Sequence, residues 1–571
     1  MTAAAMPDTP AARRPHPWEA QYPDGVRWDA PIVPDDLAAM FRRFTAQFAA
    51  QPALDYRATE WSYAELARRV RVFANALIRQ GFGPGQTLAL YLPNTAWHPV
   101  AFFGALTAGG RVAQLSPLDP KRVLAHKLTD SGAVFLLTVN LPQMQEMALT
   151  LRAEGHVPQV ILCDEGAFGP FPGELAPIAA AEGAVPFDAF VAGAPEDDPQ
   201  IAVDPEAVAL LQYTGGTTGL PKGAMLTHAN LTAALQIYDA WYSGREEMQR
   251  DPGAVMCVLP LFHIYALSAV LLRYLRLGAK VLIRMRFDAE AILNDIERHR
   301  VTAFAGVPTM WIALVNFPGI EGRDLSSLTL TASGGAPLPV EVGRRFLSLT
   351  GHELLGGWGM TETSPAGTSI PEGAAARKPG TVGLPLPGVE MKIVALDDAT
   401  RDLPPGETGE IAVRGPNITR GYWNRPDAGD VFRDGWFLTG DVGHMDADGF
   451  FWLVDRRTDM IISGGYNVYP QMVEQAIYEH PAVAEAMVIG RPDGYRGESA
   501  RAYVVLRAGH APFTLEDLRE FLKERLGPHE MPRGLEFRET LPRTPVGKFS
   551  RKMLRDAEDA AAAAAGSAAG A

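Results

Sequence analysis

The sequence predicts an α/β protein of two or more domains, and three observations support this. Its 571 residues exceed what a single hydrophobic core usually supports. From about Asp35, helix-like and strand-like segments alternate, which is typical of parallel sheets covered by helices. Between about Val382 and Arg414 the pattern changes to short strands separated by Pro and Gly. We therefore expect a large N-terminal domain of helix-covered parallel sheets with a small barrel-like subdomain, then a small α+β C-terminal domain.

Individual segments support this division. Residues 1–30, rich in Pro and Ala, are expected to form an N-terminal arm that lies on the surface or is disordered. The apolar segment Ala266–Ile283 contains Arg273, Arg276 and Lys280, so it reads as buried globular structure rather than a membrane span. Apolar periodicity predicts helices over Ala64–Gln80 and Trp97–Ala108, and strands over Thr87–Leu92, Ala133–Val139 and Val160–Cys163.

The second half contains the predicted boundary. A change of domain is expected just after Asp455-Arg456, which gives a large domain of residues 31–456 and a small lid domain of residues 457–555. The Ala-rich tail, 556–571, has no apolar face to bury and is expected to be disordered or at most a frayed helix. Predicted elements here are the strands Val389–Val394, Gly409–Arg414, Ala484–Ile489 and Ala500–Leu506, and the helices Met472–Glu479 and Leu515–Arg525.

Composition excludes several classes of function. The net charge of -14, from 52 basic and 66 acidic residues, argues against a nucleic-acid binder. Cys163 and Cys257 show no zinc or redox spacing, so a reducing compartment is expected. The Arg13-Arg14 pair is not followed by the apolar region of an export signal, and a cytoplasmic location is the resulting expectation.

The run Tyr213-Thr-Gly-Gly-Thr-Thr-Gly-Leu-Pro-Lys-Gly223 follows the apolar Val208–Leu211 and suits a polyphosphate. Glycines admit backbone N–H groups to an anion, hydroxyls donate to its oxygens, and Lys222 adds positive charge. It is not a Walker A loop, since Pro221 precedes the lysine and Gly223 follows it. The segment resembles the phosphate loop of the acyl-adenylate-forming superfamily, which includes acyl-CoA synthetases, peptide-synthetase adenylation domains and beetle luciferases.

Further ordered motifs extend the resemblance over about residues 35 to 555 and imply a nucleotide site. Gly357-Trp-Gly-Met-Thr-Glu-Thr363 is similar to the adenine and magnesium motif, Ser333-Gly-Gly-Ala-Pro337 to the loop along the adenosine, and Gly435-Trp-Phe-Leu-Thr-Gly-Asp441 to the ribose motif. Magnesium is expected at Glu362 and Thr217, which are also catalytic candidates. The implied ATP-binding residues are Thr214, Gly215, Gly216, Thr217, Thr218, Gly219, Lys222, Gly334, Gly335, Ala336, Pro337, Gly357, Trp358, Gly359, Met360, Thr361, Asp441, Arg456 and Lys548.

Pro542-Arg-Thr-Pro-Val-Gly-Lys-Phe-Ser-Arg551 resembles the catalytic-lysine motif of this superfamily. The resemblance makes Lys548 the cation that bridges the substrate carboxylate and the α-phosphate. Lys552 is the weaker candidate because it is close to a helical face. The same surroundings are similar to the site that protein acetyltransferases modify in bacterial acyl-CoA synthetases, so such an acetyltransferase is an expected partner acting on Lys548.

Pro260-Leu-Phe-His-Ile-Tyr265 is similar to the acyl-side segment of the same enzymes. It implies an acyl pocket lined by His263, Ile264, Val307 and Thr309, with Gly334 nearby. Ser463-Gly-Gly-Tyr466 is the expected passage for coenzyme A, at Gly464, Gly465 and Tyr466. Because two steps with different geometry act on one carbonyl, the small domain is expected to be a mobile lid that turns about residues 456–459.

This chain departs from the superfamily pattern at four positions. Gly215 stands where many members have serine, and Gly356 where a Gln or Glu is usual. Thr458 occupies the hinge position, usually Asp or Lys, which leaves the details of the rotation open. Leu267 lies where one long-chain subgroup has a gating tryptophan, so that gate is not expected here.

The resemblance implies an ATP-dependent acid–CoA ligase that uses ATP, Mg²⁺ and coenzyme A. The apolar wall favours a medium- or long-chain fatty acid, and a dicarboxylic or aromatic acid is the alternative. A luciferase-like oxygenase, an enzyme that loads a carrier protein and a non-catalytic binding protein also stay open. The oligomeric state is not readable from the sequence, and a homodimer is one alternative.

Overall fold

The α/β class and the division into a large and a small domain are confirmed by the computed structural model of the chain. It describes residues 15–57, 59–178, 182–214, 220–243, 253–335, 338, 340–425, 431–464, 466–543 and 549–569. Some of the predicted site residues lie outside these ranges: Gly215, Gly216, Thr217, Thr218, Gly219, Ala336, Pro337, Gly465 and Lys548.

The strands of the described ranges fall into five sheets. In chain order they are β1 (Pro52–Tyr56), β2 (Thr59–Ser62), β3 (Thr87–Tyr91), β4 (Arg111–Leu115), β5 (Ala133–Val139), β6 (Gln159–Cys163), β7 (Ala184–Pro186), β8 (Val208–Thr214), β9 (Lys222–Thr227), β10 (Ala254–Cys257), β11 (Lys280–Ile283), β12 (Val301–Gly306), β13 (Leu330–Ser333), β14 (Leu355–Gly356), β15 (Thr368–Ser369), β16 (Leu384–Pro385), β17 (Glu390–Val394), β18 (Gly409–Arg414), β19 (Phe432–Arg433), β20 (Trp436–Met445), β21 (Phe451–Arg456), β22 (Ile461–Ser463), β23 (Tyr466–Val468), β24 (Val483–Asp493), β25 (Gly497–Leu506) and β26 (Gly534–Phe537).

The helices cover the sheets and connect parallel strands. In chain order they are α1 (Leu37–Gln47), α2 (Tyr63–Arg79), α3 (Trp97–Thr107), α4 (Lys121–Ser131), α5 (Pro142–Ala153), α6 (Phe187–Val191), α7 (His228–Trp241), α8 (Arg273–Arg276), α9 (Ala289–His299), α10 (Pro308–Val315), α11 (Val340–Thr350), α12 (Ala374–Arg377), α13 (Pro470–Tyr478), α14 (Leu515–Leu522) and α15 (Arg551–Ala569). A π-helix, Tyr265–Leu272, leads directly into α8, and 3-10 turns occupy Pro17–Gln21, Glu165–Phe168, Ile320–Gly322 and Thr361–Thr363.

Two seven-stranded sheets form the body of the large domain. The first has the order β7-β6-β5-β3-β4-β8-β9 and the second β14-β13-β12-β10-β11-β1-β2. Neighbouring strands are parallel except the pairs β8–β9 and β1–β2 at the ends. Strand β3 is buried along its whole length, as expected for a central parallel strand with helices on both faces. Helix α2 buries Leu66, Val70, Phe73 and Leu77, which recur at helical spacing.

The predicted barrel-like subdomain is a five-stranded antiparallel sheet. Its strand order is β17-β18-β20-β19, with β21 paired to β20. The described part of the N-terminal arm lies on this subdomain, since the Trp28 indole donates to the Val389 carbonyl at 3.0 Å and Trp18 is buried.

The small domain has its own sheet, in the order β23-β22-β25-β24, with β26 parallel to β25. Its core is separate from those of the large domain and contains Ile461, Val473, Val488 and Leu518. Helix α15 continues through Ala569, over the Ala-rich stretch for which the sequence predicts a disordered tail or at most a frayed helix. Alanine has the highest helix propensity, and the ion pair between Arg538 and Glu558, at 2.6 Å, ties the start of this helix to the sheet.

None of the helices in the described ranges combines the length and the apolar character needed to cross a bilayer. The segment predicted to be buried, Ala266–Ile283, is indeed internal: it forms most of the π-helix, α8 and β11.

Candidate active site

The predicted phosphate loop connects two antiparallel strands at the edge of the first sheet. Strand β8 ends at Thr214 and β9 begins at Lys222, and these two residues are paired across the hairpin. The loop itself, 215–219, lies outside the described residues. Tyr213 fixes the end of β8, because its hydroxyl donates to Asp130 Oδ2 at 2.9 Å. The anchored strand ends therefore hold both ends of the loop.

Glu362 is buried and is linked through Tyr422 to Lys222, which follows the predicted phosphate loop. Its Oε1 accepts a hydrogen bond from the Tyr422 hydroxyl at 2.6 Å, and Lys222 Nζ lies 5.4 Å from the centroid of the Tyr422 ring. Burial raises the pKa of Glu362, whereas the Tyr422 hydroxyl and the Arg456 charge act to lower it. Tyr422 thus connects the cation of the phosphate loop with the carboxylate of the second motif.

Sequence reasoning missed Tyr422. The signal that was available is the run Gly421-Tyr-Trp423, whose aromatic residues follow a glycine with a φ of 120°. Tyr422 forms an isolated antiparallel bridge with Ala224, and the Trp423 indole donates to the Asp130 carbonyl at 3.0 Å. The segment is therefore held against β9 and α4.

The predicted adenine and ribose residues come together in a second cluster. The Trp358 indole N–H donates to Asp441 Oδ2 at 2.7 Å, and Arg456 Nε lies 2.5 Å from Asp441 Oδ1. Asp441 is 4% exposed, while the Arg456 side chain is half exposed. The raised pKa of Glu362 includes an effect of the Asp441 charge, so the two clusters lie within electrostatic range of each other.

Close backbone contacts, which the sequence did not reveal, explain the glycines of the predicted adenine and magnesium motif. A Cβ at Gly359 would lie 1.6 Å from the Pro365 carbonyl oxygen, and one at Gly357 would lie 2.3 Å from the Thr368 carbonyl oxygen. Both residues are exposed on their other side, which agrees with the expected backbone access for a flat ligand. Trp358 between them is 7% exposed and contacts Gly367, so little of its ring faces solvent.

The acyl-side residues are positioned by two amides. Asn94 donates to the Leu259 carbonyl at 2.9 Å, and Gln212 of β8 donates to the Phe262 carbonyl at the same distance. His263 is partly buried, and its Nδ1 accepts from the Tyr265 N–H at 3.3 Å. The other predicted lining residues differ in exposure: Ile264 is buried, Val307 is half-buried before α10, and Thr309 is exposed.

Tyr265 joins the acyl side to the predicted adenosine loop. A Cβ at Gly334 would lie 2.9 Å from the Tyr265 ring, and Gly335 has a φ of 82°. Glycine is therefore required at both positions, at the first by the aromatic ring and at the second by the backbone conformation. Ser333, just before them, is buried at the end of β13.

Arg273 is a second residue that sequence reasoning did not assign to the site. It follows the π-helix that begins at Tyr265, and its side chain is 5% exposed. Its Cζ lies 4.6 Å from the Tyr242 ring centroid, 5.0 Å from that of Tyr274 and 5.6 Å from that of Tyr238. Arg273 thus lies at the end of the helix that begins at Tyr265, among three tyrosine rings and with its Nε 3.9 Å from Asp239 Oδ1.

The predicted coenzyme A segment forms a hairpin on the small domain. Gly464, with a φ of 61°, lies between β22 and β23, and its N–H donates to the Arg496 carbonyl at 2.8 Å. Tyr466 is 61% exposed and its ring lies 5.1 Å from that of His529. The described part of this segment is therefore available at the surface of the small domain.

The donors present fit a magnesium ion held jointly with a nucleotide. Among the described residues there is no cluster of three or more His, Cys, Asp or Glu side chains that would form an all-protein metal site. Magnesium is commonly bound through one or two carboxylates together with substrate phosphates and water. The buried Glu362, linked through Tyr422 to Lys222, supplies such a carboxylate.

Comparison with known proteins agrees with this geometry. The family described as AMP-binding enzyme matches residues 41–423, and the AMP-binding enzyme C-terminal domain matches residues 472–548. A long-chain-fatty-acid–CoA ligase of Bacillus subtilis (strain 168) is 36% identical, over 95% of this chain and 98% of that protein. A feruloyl-CoA synthase of an Amycolatopsis species is 37% identical, over 88% of this chain and 95% of that protein. The crystal structure of ATP-bound MatB from Rhodopseudomonas palustris has a TM-score of 0.81 and 29% identity, covering 91% of this chain and 98% of that one.

Proposed function

Because the chain belongs to the AMP-binding enzyme family and is an AMP-forming acid–CoA ligase, we propose that its substrate is a medium- or long-chain fatty acid. The reaction joins the acid to coenzyme A with conversion of ATP to AMP and pyrophosphate, through an acyl-adenylate. The observation that carries the assignment of the site is the proximity of three groups: the Trp358–Asp441–Arg456 cluster, the buried Glu362 and the cation Lys222.

In the first step the fatty-acid carboxylate attacks the α-phosphate of ATP. Both groups are anions, so the site must offset their repulsion. We assign Asp441 and Arg456 to the ribose, the 214–219 loop with Lys222 to the phosphates, and Lys548 to the α-phosphate and the attacking carboxylate. Glu362 and Thr217 would hold a magnesium ion, which would supply positive charge near the leaving pyrophosphate.

In the second step the thiol of coenzyme A attacks the carbonyl of the adenylate and AMP leaves. We assign Gly464, Gly465 and Tyr466 to the passage of the pantetheine arm. The small domain turns about residues 456–459 between the steps, which withdraws Lys548 and presents this hairpin. Cytoplasmic location and a homodimeric assembly stay predictions from the sequence.

A chain-length series tests the substrate. Each methylene buried in an apolar pocket contributes about 0.8 kcal/mol, which corresponds to a roughly fourfold rise in kcat/KM per carbon. We expect such a rise from hexanoic to decanoic acid, measured as AMP release and thioester formation in the same assay. A flat series, or AMP release without thioester, would contradict the proposal.

A second candidate substrate is an acid with a polar distal group, and the observation that favours it is the buried Arg273. Arg273 follows the π-helix that begins at Tyr265, lies among three tyrosine rings and has its Nε 3.9 Å from Asp239 Oδ1. Since Asp239 also pairs with Arg276, the Arg273 guanidinium can still accept a distal carboxylate or a phenol. For a fatty acid, an Arg273→Leu variant is expected to keep kcat/KM within about threefold, since no charge-assisted hydrogen bond is lost. A selective loss of activity toward sebacic or ferulic acid in this variant would support the second candidate instead.

We also propose that an acetyltransferase regulates the enzyme at Lys548. Acetylation removes the charge of the lysine, so it is expected to suppress adenylation while the thioester step from supplied acyl-adenylate continues. Site-specific incorporation of acetyl-lysine at position 548, followed by acid-dependent ATP–pyrophosphate exchange, measures this effect. Normal exchange by the acetylated protein would refute the regulation.

A further inference from the structure

The two described flanks of the segment that carries Lys548 are in contact with each other. Residues 544–548 lie outside the described residues, but both flanks are described. Arg543 and Phe549 form an antiparallel bridge, and the Ser550 N–H donates to the Pro542 carbonyl at 3.0 Å. The Arg543 guanidinium lies 4.2 Å from the Phe549 ring centroid. The flanks on the two sides of the loop are therefore joined to each other.

Arg543 also ties the first flank to the sheet of the small domain, through a 2.6 Å ion pair with Glu485 of β24. The second flank leads, two residues after Phe549, to Arg551 at the start of α15. Any movement of Arg551 is therefore transmitted directly to the end of the Lys548 loop.

Arg551 lies among three carboxylates from separate parts of the chain. Its Nη2 lies 2.7 Å from Glu474 Oε2 and its Nε 3.1 Å from Glu474 Oε1, which is a two-pronged contact. Its Nη1 lies 3.1 Å from Asp455 Oδ1 and 3.3 Å from Asp459 Oδ2. Asp459 also pairs with Arg555, one turn further along α15.

This cluster is largely removed from water. The side chains of Arg551, Glu474 and Asp459 are 11% to 16% exposed, and that of Asp455 is 1% exposed. Burial raises the pKa of Asp455 and of Glu474, and the Arg551 charge acts in the opposite direction. Removing one partner of such a buried network would leave uncompensated charges. The network therefore strongly favours the one geometry in which all of its charges are paired.

The cluster spans the proposed hinge. Asp455 ends the large domain in β21, Asp459 ends the hinge, and Glu474 belongs to α13 of the small domain. The Gln471 N–H in the first turn of α13 also donates to Asp455, at 2.7 Å. A rotation about residues 456–459 moves Arg551 with the small domain while Asp455 stays, so it must change the Arg551–Asp455 contact.

We propose that Arg551 is a positioning residue, which sets the Lys548 loop against the hinge so that the lysine is placed for adenylation. This inference rests on the proposed function of Lys548. Arg551 is three positions after Lys548 along the chain, a span of at most about 11 Å when extended. A misplacement of a reacting group by about 1 Å reduces a rate by about 100-fold.

The experiment separates the two half-reactions in Arg551→Gln and Arg551→Lys variants of the full chain. Adenylation is followed as acid-dependent ATP–pyrophosphate exchange, and the second step as thioester formation from supplied decanoyl-AMP and coenzyme A. We expect Arg551→Gln to reduce kcat for exchange by about 100-fold, with the KM for ATP unchanged and the second step within threefold. Lysine keeps the charge but loses the two-pronged geometry, so a smaller loss of about tenfold is expected.

Arg538→Gln is the matched control. It removes another arginine–glutamate ion pair of α15, in which Glu558 of the helix pairs with Arg538 after β26. This pair includes neither a hinge residue nor a flank of the Lys548 segment. Its exchange rate is expected to equal that of the parent. Equal losses in both half-reactions of the Arg551 variants, or no loss of exchange, would overturn the positioning role. If the parent itself shows no acid-dependent exchange, it is the proposed function that fails. If the parent exchanges and the Lys548→Ala variant exchanges at the same rate, it is the role of Lys548 that fails.

Discussion

Replacement of Lys548 by alanine is expected to slow adenylate formation by about three orders of magnitude. A cation about 4 Å from the α-phosphate contributes roughly 4 kcal/mol at an effective dielectric constant near 20, and each 1.36 kcal/mol corresponds to about a factor of ten in rate. Acid-dependent ATP–pyrophosphate exchange measures this step. Thioester formation from supplied acyl-adenylate should change little, because that step does not bring two anions together.

Lys552→Ala is the appropriate control for this prediction. Lys552 is four residues further along the chain, on helix α15, and its Nζ pairs with Asp556 at 2.7 Å. It carries the same charge as Lys548 and its own side chain is exposed, so its removal changes the net charge equally. Exchange at the parental rate in a folded Lys548→Ala protein would reject the mechanism, whatever the control shows.

Local sequence patterns were sufficient for many elements of the fold. Strand β5 was predicted to the residue, Ala133–Val139, and the helix predicted over Trp97–Ala108 ends one residue earlier, at Thr107. Both segments are mostly apolar and almost entirely buried, so their hydrophobicity is the main signal that identifies them. The α/β class follows from such segments because alternation along the chain fixes the connection type.

The order of the strands in the sheets could not be predicted from local sequence patterns. Strand β1 pairs with β11, with Leu54 opposite Val281, although the two strands are more than 200 residues apart. Nothing in either segment specifies the other, since both are short apolar strands that would fit many partners. Long-range pairing is decided by the packing of the whole domain.

The candidate site shows the same limit. The residue types at Trp358, Asp441 and Arg456 were assigned through their motifs, and the structure brings them into contact. Tyr422 was not found, because its partner Glu362 is 60 residues away and neither residue signals the pair in sequence. The cluster around Arg551 was missed for the same reason, since its carboxylates precede Arg551 by 77 to 96 residues.

Replacement of Glu362 by glutamine is expected to reduce adenylation by about 100-fold, the usual effect of losing one strong electrostatic group of an active site. Glutamine keeps the shape and still accepts the Tyr422 hydrogen bond, but it provides no negative charge for magnesium. The half-saturating Mg²⁺ concentration for pyrophosphate exchange should therefore rise by about tenfold or more. Titration of Mn²⁺ binding to the ATP complex by electron paramagnetic resonance gives a second measurement, independent of turnover.

Glu165→Gln distinguishes loss of a metal ligand from loss of a buried charge. Glu165 is likewise buried, its Oε2 accepts from the Tyr56 hydroxyl at 2.7 Å, and burial raises its pKa. Because burial disfavours the ionised form of Glu362, the Glu362→Gln variant should keep the melting temperature of the parent or exceed it. Glu165→Gln also removes the ion pair of Glu165 with Arg57 Nη1, at 3.5 Å, so its melting temperature should be the lower of the two. Only Glu362→Gln should change the Mg²⁺ dependence. Glu165 contacts Tyr56 and Thr95 and belongs neither to the Glu362–Tyr422 pair nor to the Trp358–Asp441–Arg456 cluster. An equal change in both variants, or none in Glu362→Gln, would remove Glu362 from the metal site.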